Sequence, residues 1–87
     1  MNAVEKLMDA GYEDVMILDG YEYDDALIGV TTDGRAVYDF DKMVECLMNK
    51  EGWSDIDAIE WIEYNTIRSL PYFGSKAPII MYSIEYM

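Results

Sequence analysis

The chain has 87 residues, with 18 Asp and Glu against 6 Lys and Arg, no histidine, and a formal net charge of -12. A field of that sign repels nucleic-acid phosphates and anionic lipid surfaces and steers toward basic protein surfaces, so direct nucleic-acid binding and membrane binding are not expected. The charge does not imply disorder, because 52% of the residues are hydrophobic and 14% aromatic, which acidic disordered segments lack.

Residues 1–87 read as one acidic α+β domain whose modest core leaves room for a homodimer contact. Asn2 caps a helix over about 3–10 with Val4, Leu7 and Met8 on one face, and Gly11 stops it. Residues 14–18 form a short apolar run that reads as a buried strand. Residues 19–25 form an acidic loop. The segments 26–32 and 35–38 flank Asp33-Gly34, the dipeptide of a two-residue type I′ hairpin turn. Asp39 caps a second helix, with Phe40, Met43, Val44 and Leu47 at helical spacing, that runs to about residue 50 and stops at Gly52. Ser54 and Asp57 resemble a capping box that opens a third helix over about 55–68. Pro71 disfavours helix at Leu70, residues 72–76 form a loop, and 78–82 read as a last strand with Pro78 at its tolerated first position. The predicted order is α-β-β-β-α-α-β. Without a strand-helix-strand series, it predicts an antiparallel sheet with the helices packed on one face.

Helices 2 and 3 imitate a helix-turn-helix DNA reader in spacing only, since helix 3 offers Asp55, Asp57, Glu60 and Glu63 before its first cation, Arg68. The loop carboxylates Asp19, Glu22, Asp24 and Asp25 do not match the EF-hand pattern, because Tyr21 and Tyr23 occupy ligand places; a solvated acidic loop is expected, with no metal. Without histidine, and with Cys46 on the flank of the helix 2 apolar stripe and no partner base, no catalytic residue and no cofactor is expected. The single cysteine and a start at Met1-Asn2-Ala3-Val4-Glu5 without a basic region point to a cytoplasmic protein. No apolar run approaches the roughly 18 residues of a membrane helix. On a wheel of 100° per residue, Ile56, Ile59, Ile62 and Ile67 share one side of helix 3 while Trp61 points nearly opposite, toward either another part of the core or a partner. Tyr21, Tyr23, Tyr64, Tyr72 and Tyr86 extend that candidate surface. Carboxylates mixed with rings suit arginine-rich partners.

Four stretches, DGRAVYD at 33–39, EGW at 51–53, WIEYNTIR at 61–68 and APIIM at 77–81, carry a resemblance over residues 26–82 to a group of small acidic proteins of gut Firmicutes and their mobile elements. That resemblance implies no catalytic residues. In size and charge profile the chain is also similar to phage-encoded anti-CRISPR proteins that imitate DNA. The expectation is a protein-binding protein that occupies the basic groove of a nucleic-acid-binding partner. Its candidate contacts are Asp19, Glu22, Asp24, Asp25, Asp55, Asp57, Glu60, Trp61, Glu63 and Tyr64. The alternative is a regulatory or structural subunit that binds through its aromatic surface.

Overall fold

In the computed structural model, residues 2–18 and 23–84 are described. Helix α1, Ala3–Asp9, opens on a full capping box: the Asn2 side chain accepts from the Glu5 N–H at 2.8 Å, and the Glu5 carboxylate accepts from the Asn2 N–H at 3.2 Å. It closes in a Schellman turn with Gly11 at φ 91°, where the Gly11 N–H donates to Met8 O and the Tyr12 N–H to Leu7 O.

The strand expected over 14–18 does not form. Asp14 adopts the left-handed conformation, φ 59°, which breaks the extended run. Leu18 is buried and held by one bond, its N–H donating to the Tyr38 hydroxyl at 3.1 Å. Asp24–Ala26 is a 3₁₀ turn rather than open loop. The Lys6 ammonium donates to the carbonyls of Asp24, at 2.6 Å, and Leu27, at 3.0 Å, which ties α1 to the start of the sheet.

Strand β1, Leu27–Val30, pairs antiparallel with β2, Ala36–Asp39, and a register shift between Leu27 and Gly29 leaves Ile28 bulged and exposed. The turn between them is not type I′. Only Gly34 has a positive φ, 85°; its N–H donates to Thr31 O at 3.0 Å, and the Thr31 N–H to Arg35 O at 2.8 Å. A three-residue loop with a glycine bulge therefore replaces the two-residue turn, because Asp33 need not enter the left-handed region.

Helix α2, Phe40–Glu51, is capped by Asp39, whose carboxylate accepts from the N–H groups of Asp41 and Lys42, and ends at Gly52 with φ 73°. Ser54 caps α3, Asp55–Trp61, by accepting from the Asp57 N–H at 3.2 Å. The helical path then widens into a π-helical turn, Ile62–Ile67, and tightens into a 3₁₀ turn, Leu70–Phe73, whose last two residues fall in the loop expected over 72–76. The third helix is therefore not a uniform α-helix to residue 68. The isoleucine stripe holds in part: Ile62 is fully buried and Ile59 and Ile67 pack half-buried against the core, while Ile56, in the first turn of α3, is 66% exposed.

Strand β3, Ile79–Met81, lies parallel to β2, with Val37 opposite Ile79 and Asp39 opposite Met81. The sheet is mixed, in the order β1-β2-β3, and not antiparallel throughout. The reason is the connection: a chain that leaves β2 through two helices returns to the starting end of the sheet, which gives a parallel neighbour. Among the described residues the order is α-β-β-α-α-β. The core gathers Tyr38 and Ala36 from β2, Met43 and Leu47 from α2, Ala58 from α3 and Ile62 from the π turn. Burial pushes the Tyr38 hydroxyl above the usual tyrosine range, with nearby Asp24 adding to it against the opposing hydrogen bond from Leu18.

Candidate functional site

Helix α3 uses only part of its surface for the core. Ala58, and Ile62 just beyond it, point inward and anchor the helix, while Asp57, Glu60, Trp61 and Tyr64 fall on the outward side and are all exposed. Trp53 precedes the Ser54 cap, a position from which an apolar side chain folds back over the helix it precedes. Its ring meets that of Trp61 at 5.5 Å between centroids and 58° between planes. The two indoles, Tyr64, Asn65 and the carboxylate-bearing Asp57 and Glu60 line an open cleft of about 380 Å³. Trp61 is 42% exposed, so it is neither a core residue nor free of the fold.

The π turn completes this surface. An i→i+5 turn adds a residue to the helical circuit, and such turns recur at functional positions in α-helices. The Asn65 amide donates to Trp61 O at 3.1 Å, where the wide turn begins, and so fixes both residues at the cleft rim. Trp61 and Asn65 also border a second cleft, reached on the side of Tyr23 and Phe73. Farther along the helix, the Arg68 guanidinium carbon lies 5.8 Å from the centre of the Tyr64 ring, within cation–π range. The structure links Trp61 to Tyr64 through the cleft and Tyr64 to Arg68 through that ring contact.

The other sequence candidates divide. Asp55 accepts from the Ile56 N–H at 2.8 Å in the first turn of α3, and Glu63 is exposed in the π turn, outside the cleft lining. Asp24 and Asp25 belong to the 3₁₀ turn against β2 and α2, where Asp24 acts on Tyr38 and Asp25 on Cys46. Asp19, Glu22, Tyr21 and Tyr86 lie outside the described residues. Tyr23 is buried, its hydroxyl 3.1 Å from that of Thr66, so it leaves the candidate surface; Tyr72 is exposed. Sequence reasoning misses Trp53 and Asn65. The position of Trp53 just before the helix cap is the available signal, whereas no sequence pattern announces the π turn that places Asn65.

Three basic side chains are engaged away from the cleft, and a fourth, Arg68, lies over one of its lining rings. Lys6 and Arg35 donate to main-chain carbonyls, Arg35 to Ala77 O at 2.8 Å; Lys76 donates to Asp33 O, and Arg68 covers Tyr64. Cys46 is buried, and burial first, then Asp25, pushes its thiol up, which favours the protonated form. Among the described residues no group of three or more His, Cys, Asp or Glu is placed to hold a metal ion, and no helix is long and apolar enough to cross a membrane. In comparison with known proteins, no family model matches the chain, nor does any curated protein or solved structure.

Proposed function

We propose that the protein is a small acidic binding protein that engages a basic protein surface through the outward side of α3. The observation that carries this reading is the cleft in which the exposed carboxylates of Asp57 and Glu60 stand beside the rings of Trp53, Trp61 and Tyr64, on a chain with a net charge of -12. Carboxylates offer the sites that a basic groove otherwise fills with phosphates. Asp57 and Glu60 sit one α-helical step of about 4.5 Å apart, of the order of the roughly 3.4 Å phosphate spacing along one DNA strand. The protein is accordingly a cytoplasmic inhibitor of a nucleic-acid-binding partner, in the manner of DNA-mimicking anti-CRISPR proteins of phages, and it needs no catalytic residue or cofactor.

Competition tests this. The protein is used to capture its partner from an extract of the native host, and duplex DNA is added to the captured complex. Mutual displacement, together with release as salt rises and screening shortens from about 8 Å toward 3 Å, supports mimicry. A second reading rests on the exposure of Trp61 and Tyr64: a regulatory subunit held by aromatic burial. A partner that DNA does not displace and that stays bound near 1 M salt establishes that second reading and rejects the first.

A further inference from the structure

The cleft of α3 has a more definite chemistry than acidity. Two indole rings inclined at 58° form a corner, Tyr64 adds a third ring, and Asp57 and Glu60 stand at its edge. A cation entering this corner meets ring faces and carboxylates together. The open cleft, about 380 Å³, has room for a long side chain. Of the two cationic side chains, the guanidinium fits better, because it is planar, weakly hydrated, stacks on rings and pairs with carboxylates through parallel N–H donors. A compact ammonium is strongly hydrated and gains less from such walls. The same face already shows the pairing, in the guanidinium of Arg68 set 5.8 Å from the Tyr64 ring centre.

We propose that the Trp53–Trp61–Tyr64 cleft is an arginine-reading pocket that takes one exposed arginine side chain of the partner protein and prefers it to lysine. This rests on the reading of α3 as the partner-binding side and narrows it from a basic surface to a guanidinium. Charge complementarity identifies the occupant: the lining supplies carboxylates and ring faces and no cationic side chain.

The chain holds its two tryptophans, Trp53 and Trp61, in this one cleft, so intrinsic fluorescence reports occupancy directly. The folded protein is titrated with a tri-arginine peptide, a tri-lysine peptide of equal charge and a tri-citrulline peptide. The expected result is a saturable change in tryptophan emission with tri-arginine, binding at least about tenfold weaker for tri-lysine, and none for tri-citrulline. The double variant Asp57→Asn, Glu60→Gln should lose about tenfold in tri-arginine affinity. The variant Asp41→Asn, Glu45→Gln removes the same charge from the exposed side of α2 and should lose little. Circular dichroism of each variant checks that it folds.

Equal binding of the arginine and lysine peptides overturns the pocket while leaving the broader basic-surface reading intact, since charge attraction alone then suffices. Equal losses in the α3 and α2 variants overturn it in the same way. No emission change with tri-arginine overturns it whatever the outcome of the competition experiment with DNA.

Discussion

Helices α2 and α3 begin alike, each behind a side-chain cap, and are used differently. Helix α2 buries Phe40, Met43, Val44, Cys46 and Leu47 in one stripe and turns Asp41, Lys42, Glu45 and Asn49 to solvent. Helix α3 buries Ala58 alone within its own span and leaves Ile56, Trp61 and, beyond them, Tyr64 at the surface. An amphipathic helix with a wide apolar stripe is held by packing. A helix anchored by Ala58, the half-buried Ile59 and Ile62 of the adjoining π turn keeps much of its surface exposed. The contrast gives α2 to stability and leaves the outward side of α3 available for the proposed binding, and the two roles predict different costs for similar substitutions.

The largest effect is expected at Met43, which is fully buried. Met43→Ala removes packed methylene groups and leaves a cavity, at a cost of about 3 kcal/mol, read as a lower midpoint in urea unfolding. Ile56→Ala on α3 should shift stability by less than about 0.5 kcal/mol. A comparable loss at Ile56 would erase the distinction between the helices.

Trp61→Ala comes next. The ring keeps 42% of its surface in water, so the stability loss should be about 1–2 kcal/mol, below that of Met43→Ala, while partner binding falls by more than about 2 kcal/mol, as for an anchoring tryptophan. Thermal unfolding and partner capture on one variant measure both. A melting loss larger than that of Met43→Ala would make Trp61 a core residue and move the binding assignment off α3.

The two helices also differ in how far their sequence revealed them. The α2 stripe, its Asp39 cap and its Gly52 stop are legible from spacing and cap chemistry, since nothing interrupts the α-helical period. In α3 the cap at Ser54 and the inward side at Ile59, Ile62 and Ile67 are legible, but the exposure of Ile56 and the change of period to a π turn after Trp61 are not. The direction of β3 is hidden for another reason: pairing depends on where a long connection delivers the strand, not on the residues of Ile79–Met81. For the site, Asp57, Glu60, Trp61 and Tyr64 can be named from one helix, whereas Trp53 joins them only through the turn at Gly52.

The hairpin provides a reference point outside both helices. A Cβ at Gly34 meets nothing within 4 Å, yet its φ is 85°. Gly34→Val should therefore cost about 1–2 kcal/mol through backbone conformation alone, and Gly34→Asn clearly less, because asparagine tolerates the left-handed region. Equal losses for the two variants would point to a steric cause and remove the glycine-bulge description of the turn.

The smallest effect sharpens the electrostatic side of the contrast. Asp33 shows what a carboxylate with its own partners looks like: the Thr31 hydroxyl donates to it, and this bond, with the positive charges of Lys76 and Arg35, holds its carboxyl below the ordinary aspartate range against the opposing effect of desolvation. A lowered folded pKa means that the unfolded chain takes up the proton first as pH falls. The stabilisation by Asp33 is thus complete above the ordinary aspartate pKa of about 3.9 and disappears as pH drops through the lower folded value. Asp33→Asn keeps an acceptor for Thr31 but cannot ionise, so it should be slightly less stable than the parent at pH 7, with the gap closing below about pH 4. Urea unfolding at constant ionic strength over that range measures the gap. If the gap instead widens on acidification, the hairpin carboxylate is not held ionised by its neighbours. Asp33 then ceases to mark the difference between a carboxylate satisfied within the fold and the carboxylates of α3, which stand at the rim of an open cleft.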